Sequence, residues 1–323
     1  MYFRFTKPPY TSKLIIMKAS RYFLICFSLM FLSIGPVLFC EETEVPDWIR
    51  LEQGKRLFEK GNFGEALVIF KDLRESTDSY PEADFWIGRV FEEEGELSLA
   101  QAQYKKALDA KKDLYVSEDV LLIQGRLAYV YRISRKYHDY EEILKASLVY
   151  SEVWNAPDAA RRYPLMIRAL KEKGVDKLFE LYRIDADSVL HVHSELGLYY
   201  YRTGRYEESL THLVTAFLAE LTAVMKEVKY DDPLYQTESV EELLGKGLIS
   251  PRIQSYLEAV SFFPVSYYLG ASLYALGEIR ESRELFSLVA NYAPSKKWTA
   301  MAMRQLTDPY IEPILTSDEY FYF

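Results

Sequence analysis

The tightest constraint on this 323-residue chain is a pair of small residues that recurs with a fixed separation. Gly54 is followed twelve residues later by Ala66, Gly88 by Ala100, Gly197 by Ser209 and Gly270 by Ser282. Large residues follow each second member: Phe70, Tyr104, Leu213 and Phe286. Within each stretch the apolar positions lie three and four apart, which places them on one face of a helix with 3.6 residues per turn. A short break containing Gly61, Gly95, Gly204 or Gly277 divides each stretch in two. The pattern therefore predicts antiparallel helix pairs, in which a glycine on the first helix lets the second approach closely. A single pair cannot bury both of its faces, so successive pairs must stack. The expected fold class is all-α, an α-solenoid of helix-turn-helix repeats behind an N-terminal hydrophobic signal or anchor helix.

Gly54 and Gly88 are 34 residues apart, the period of the tetratricopeptide repeat, and the pattern resembles that family. The small residue of the family's first helix falls on Gly54, Gly88, Gly197 and Gly270. The aromatic or aliphatic residue three further on falls on Leu57, Phe91, Tyr200 and Leu273, and the closing proline on Pro294 and Pro81. Clear units are expected at about 47–80, 81–114, 190–222 and 263–294 within a solenoid spanning 47–306. Degenerate units are expected at about 121–150, where Ala128 and Tyr131 form the pair and the second helix from Tyr140 looks displaced, and at 158–184, where Gly174 breaks two helices. A helical insertion occupies 223–262 and a capping helix 295–306. The Pro- and Tyr-rich tail, 307–323, is expected to pack into a groove, its own or a neighbour's.

The first 40 residues have a different character. They carry Arg4, Lys7, Lys13, Lys18 and Arg21 but no acidic residue, and Tyr22 to Cys40 is uncharged and mostly apolar. A basic flank before an apolar run is the signature of an export signal with its basic side retained inside. Met17, followed by Lys-Ala-Ser-Arg, offers a second start, which would place residues 1–16 upstream of the true one. Three outcomes stay open for Cys40: lipidation, cleavage after it, or retention of the apolar run as an uncleaved anchor. Each predicts a body exported across a bacterial inner membrane, in the periplasm. Only two cysteines exist, Cys26 and Cys40, so the body can form no internal disulfide.

Catalytic and cofactor signatures are missing. The sequence has no Gly-x-Ser-x-Gly, no phosphate-binding loop and no Gly-x-Gly-x-x-Gly. His191 and His193 are two apart and point in different directions on a helix, and Glu92-Glu93-Glu94 reads as a solvated helix face. No cofactor, no metal and no enzymatic activity are expected. With a net charge of −9, a nucleic-acid partner is disfavoured.

The resemblance implies a concave face lined by first helices and used to bind a protein or peptide. On that face the sequence places Trp48, Phe58, Arg89, Tyr129, Arg132, Tyr201, Arg202, Tyr267 and Tyr274, residue types that dominate interface energetics. Lys55 occupies one place of the family's carboxylate clamp, but its asparagine partners are missing. The expected function is an exported, membrane-associated scaffold or adaptor that binds a protein partner. The alternative is a small-ligand-binding or transport-accessory protein, with the long helix after Phe217 and the insertion to Pro251 closing a pocket.

Overall fold

The computed structural model describes residues 45–316, and from Asp47 onward the chain forms one helical unit. The proposed signal segment and Cys40 lie outside the described residues. In chain order the helices are α1 (Asp47–Glu59), α2 (Phe63–Ser76), α3 (Pro81–Glu93), α4 (Leu97–Asp109), α5 (Asp119–Ile133), α6 (Tyr137–Ser147) and α7 (Ala159–Leu181). They continue with α8 (Leu190–Arg202), α9 (Tyr206–Asp231), α10 (Val240–Gly247), α11 (Pro251–Ala259), α12 (Phe262–Ala275), α13 (Ile279–Tyr292) and α14 (Lys296–Thr307). No strand occurs among the described residues.

Five helix pairs share one turn geometry, and that geometry shows where the repeats are. In α1–α2, α3–α4, α5–α6, α8–α9 and α12–α13, the break residue has positive φ: Gly61 (79°), Gly95 (79°), Arg135 (57°), Gly204 (77°) and Gly277 (84°). The next residue donates its amide to a carbonyl five positions back: Asn62 to Leu57, Glu96 to Phe91, Lys136 to Tyr131, Arg205 to Tyr200 and Glu278 to Leu273, all at 2.8–2.9 Å. A left-handed residue closing a helix with this long-range bond is a Schellman-type cap, which glycine adopts without a Cβ penalty. The cap satisfies carbonyls that would otherwise be orphaned at the end of the first helix.

The small-residue pattern does what its spacing requires. A Cβ on Gly88 would sit 2.6 Å from Tyr104 Cε1, and one on Gly197 would sit 2.5 Å from Leu213 Cγ. Gly54 meets the Phe70 ring in the same way. Ala66, Ala100, Ser209 and Ser282 are all buried. Each glycine therefore receives the large side chain of its partner helix.

Two expectations need correction. The second helix of the third unit is not displaced: α6 begins two residues after Arg135, just as α2 begins two after Gly61. The unit looks irregular because Tyr140 stands at the small-residue position, twelve after Ala128. It is fully buried and its hydroxyl reaches across to Glu195 on α8. The segment 158–184 is helix, glycine and helix as read, but it is not a unit of the stack. Helix α7 packs against α9, α10 and α13, leaving α6 to meet α8 directly. Its kink at Gly174 (φ 82°, ψ −177°) faces the Glu284 carboxylate, which accepts the Val175 amide at 3.3 Å. The Val240 amide donates to Asp176 at 2.7 Å. Helix α7 is thus a brace across the second helices of the last two units.

The insertion has a comparable role. Helix α9 runs for 26 residues, about twice the length of its counterparts, and α10 and α11 fold back onto its extension. Helix α12 then resumes the stack against α9, and α14 covers the exposed side of α13. No helix among the described residues is long and apolar enough to cross a membrane.

Candidate functional site

The first helices α1, α3, α5, α8 and α12 line one face of the stack. Over the first three units this face is a ladder of aromatic rings and guanidinium groups. Phe58 and Trp86 meet edge-on with centroids 5.3 Å apart, and Arg89 lies 5.1 Å over Phe58 and 5.8 Å from Trp86. Cation–π contacts of this kind hold an arginine head group flat and half-exposed. One unit on, Tyr129 is flanked by Arg126 at 5.2 Å and Arg132 at 5.7 Å. Arg126 is anchored by Glu92, which accepts its Nε at 3.1 Å and also takes a second bond from the same guanidinium. Arg132 reaches Glu195 on α8 at 3.8 Å.

Arg126 was not among the expected site residues. Counted from the left-handed turns at Gly95 and Arg135, it stands where Trp86 stands on α3, so its bond to Glu92 joins non-equivalent places on neighbouring first helices and no repeat spacing signals it. Trp48 is 63% exposed and Tyr129 39% exposed. Phe58, Arg89 and Arg132 are half-buried. Phe58, Arg89, Tyr129 and Arg132 belong to this ladder, and Trp48 stands exposed at the start of α1.

The other four do not form an open groove. Tyr267 is fully buried and Tyr201 is 2% exposed, so neither is free to meet a partner. Tyr267 packs against Phe286 of α13 and Trp298 of α14, and the chain's own segment 309–316 runs over α8 and α12, held at several points. Glu312 is its anchor. The Glu312 carboxylate accepts from Tyr267 at 3.3 Å, Tyr268 at 3.4 Å and Arg202 at 3.4 Å, and its amide donates to Tyr201 at 3.3 Å. Burial raises the Glu312 carboxyl above the ordinary carboxylate range, with Arg202 and the two tyrosine hydroxyls opposing that rise. Three residues on, the Leu315 amide donates to the Arg202 carbonyl at 2.6 Å. On the other side of Glu312, Gln305 of α14 grips the Tyr310 backbone twice, at 3.0 Å each way. Tyr274 donates to the Pro309 carbonyl at 3.4 Å. Arg202 and Tyr274 are therefore engaged by the tail, while Tyr201 and Tyr267 lie under it.

Histidines gather beneath this face. His193 and His212 place their Nδ1 atoms 3.0 Å apart, and His212 stacks on Trp154 at 4.8 Å. Burial lowers the pKa of His193 to about 4 and that of His212 well below the ordinary value. Two neutral rings, one donating and one accepting, fit this contact; an imidazolium there would set two donors against each other. Among the described residues no three His, Cys, Asp or Glu side chains converge to hold a metal ion.

Residues 51–114, the first two units, match the tetratricopeptide repeat family. The first two units are tetratricopeptide repeats. The match covers α1 to α4, and the shared turn geometry extends the repeat to the three later pairs. The repeat protein is also similar to two bacterial proteins, each described as an uncharacterized protein. One, from Treponema pallidum, is 24% identical over 266 residues, 82% of this chain and 70% of the relative. The other, from Borreliella burgdorferi, is 25% identical over 259 residues, 71% of this chain and 79% of the relative.

Proposed function

We propose that this repeat protein is an exported scaffold that binds a protein partner along the face lined by its first helices. One observation carries the reading: residues 309–316 lie on that face as a non-helical segment, fixed by backbone amides, one carboxylate and the Leu315 side chain. A surface that holds its own chain in this manner has the donors, acceptors and apolar seats for an extended segment of another protein. The aromatic–arginine ladder of the first three units offers the same chemistry, with no other described segment of the chain laid along it. Partly exposed Trp48, Tyr129, Arg89 and Arg132 supply large contact area and planar hydrogen-bond donors, the features that concentrate binding energy. Tetratricopeptide repeats are in general scaffolds rather than catalysts. The candidate groups of this chain are arranged for recognition: arginines stacked on rings and carboxylates already paired.

The basic and apolar N-terminal sequence supports export, with the solenoid held at or released from the membrane on the periplasmic side. Mass determination of the mature N-terminus tests this. A chain starting at a lipid-modified Cys40, starting just after it, or retaining the apolar run in the membrane fraction agrees with export. A full-length chain in the cytosol refutes it.

The binding face is tested by site-specific photocrosslinking in cells. A photoreactive residue at Tyr129 is expected to capture a discrete protein, and Arg89→Ala with Arg132→Ala is expected to abolish that capture. The same probe at Val68, on the outward side of α2 and 67% exposed, is the comparison. Equal capture from both positions, or none from Tyr129, removes the reading.

A further inference from the structure

A second site lies where the chain departs most from its repeat pattern. A cavity of about 260 Å³ opens between the N-terminal half of α8, the extension of α9 and the junction of α11 with α12. Leu190, Ala259 and Val260 give it an apolar wall, and Ser194 and Glu220 give it polar groups. We infer that this cavity binds a small organic ammonium, with its nitrogen on the Glu220 carboxylate and Ser194 hydroxyl and its short apolar chain against Leu190, Ala259 and Val260.

The unmatched chemistry of the cavity points to this ligand. Glu220 is fully buried, and neither carboxylate oxygen has a hydrogen-bond partner. Buried carboxyls are almost always paired, because removal from water without compensation is costly. The Ser194 hydroxyl is buried, unpartnered and part of the same lining. The Tyr256 hydroxyl is also unpartnered and lies within electrostatic reach of Glu220. The Glu220 carboxylate and the two hydroxyls are thus all without a partner, and His191 is the basic side chain in the lining, with no Lys or Arg. The second carboxylate there, Glu195, is already held by Tyr140 and Arg132, so the deficit is at Glu220.

Charge and size choose among ligands. A carboxylate or phosphate would meet two acidic side chains and no cation. A metal ion lacks a ligand set, since no three suitable side chains converge among the described residues. An ammonium supplies three donors, for which the Glu220 carboxylate and the Ser194 hydroxyl offer acceptors. The volume suits a compact ligand with a short chain and lies below the usual range for drug-sized molecules. Burial pushes the Glu220 carboxyl well above the ordinary range, so the site is a poor host for its own unmatched charge and a good one for a cation that brings the compensation. The backbone adds an independent sign. Ser261, on the cavity wall, is left-handed at φ 60° and ψ 38°, a conformation that non-glycine residues hold mainly where surrounding structure imposes it, often at ligand sites. The two elements that shape the cavity, the overlong α9 and the insertion ending at α11, are what the plain repeats lack.

Calorimetric titration of the full chain with n-butylammonium tests the inference, with n-butyramide and butyrate as comparators of matching shape. One-site binding of n-butylammonium is expected, with weaker or no binding of the comparators. Glu220→Gln keeps the shape and is expected to weaken n-butylammonium by roughly thirtyfold or more, the effect of removing one member of a buried charge pair. Ala259→Phe fills the cavity from the opposite wall and is expected to abolish binding, so the test does not rest on one variant. No binding to the wild-type chain overturns the inference. So does equal binding to a folded Glu220→Gln chain, or a preference for n-butyramide or butyrate.

Discussion

Replacing Gly197 with alanine examines the packing rule on which the stack depends, and Gly125 provides the control. Both glycines lie inside first helices, α8 and α5. A Cβ on Gly197 would stand 2.5 Å from Leu213 Cγ, 2.6 Å from Leu213 Cδ2 and 3.1 Å from the Leu213 backbone nitrogen. Carbon atoms sit comfortably at about 3.5–4.0 Å, so Leu213 must retreat by roughly 1 Å. The contact with backbone nitrogen means that a new rotamer is not enough; α8 and α9 must separate. Leu213 is fully buried, and overpacking of this kind costs about 1–3 kcal/mol. Alanine recovers about 0.5–1 kcal/mol of helix propensity. The expected net loss is about 1 kcal/mol. A Cβ on Gly125 meets no heavy atom within 4 Å, so Gly125→Ala should stabilise by about 0.5–1 kcal/mol from propensity alone. Equilibrium urea unfolding followed by circular dichroism measures both, and hydrogen exchange of the α8 and α9 amides localises the loss. Gly197→Ala at or above wild-type stability, or Gly125→Ala below it, would refute the argument.

Other expectations are open to direct measurement. Arg135 is the non-glycine residue in the five left-handed turns, so Arg135→Gly should stabilise the third unit by about 1 kcal/mol; a loss in urea unfolding would count against the turn assignment. Glu312→Ala removes the charge-assisted anchor of the tail, a loss of about 2 kcal/mol, which raises the opened population roughly thirtyfold. Limited proteolysis should then cut beyond Asp308 that much faster, and an unchanged rate would mean that the tail is held elsewhere. Burial lowers the pKa of His193 to about 4 in the folded chain from an ordinary 6.5. Between those values the unfolded chain takes up a proton that the folded chain refuses. Stability from this group is therefore full above about pH 6.5 and declines as the pH falls toward 4, by up to about 1.4 kcal/mol per pH unit. Urea midpoints across that range should fall with acid, and His193→Gln should flatten the slope; an equally steep slope in the variant would assign it to other groups.

The sequence by itself determined the helix pairs, their turns and the close contacts within each pair. Those features are local: glycine at a left-handed cap and a small residue opposite a large one are set within about 20 residues by helical periodicity. The ring-and-arginine character of the first three units was legible in part, because first-helix positions can be counted back from each turn; the Glu92–Arg126 pair was not, because Arg135 follows Gly95 by 40 residues where Gly95 follows Gly61 by 34. Even the third unit, with Tyr140 in place of a small residue, kept the same turn.

The tertiary structure decided what happens between distant segments. Glu312 meets Arg202 across 110 residues, and Glu284 meets the Val175 amide across 109. No periodicity specifies such pairings. They arise because the last units leave donors and apolar seats that a nearby free segment satisfies at low loop-closure cost. That is why Tyr201 and Tyr267, read as groove residues, lie beneath the tail, and why α7 braces the stack from outside it. The Glu220 cavity has the same origin: its residues come from α8, the extension of α9 and the end of the insertion, and only the folded chain brings them around one space.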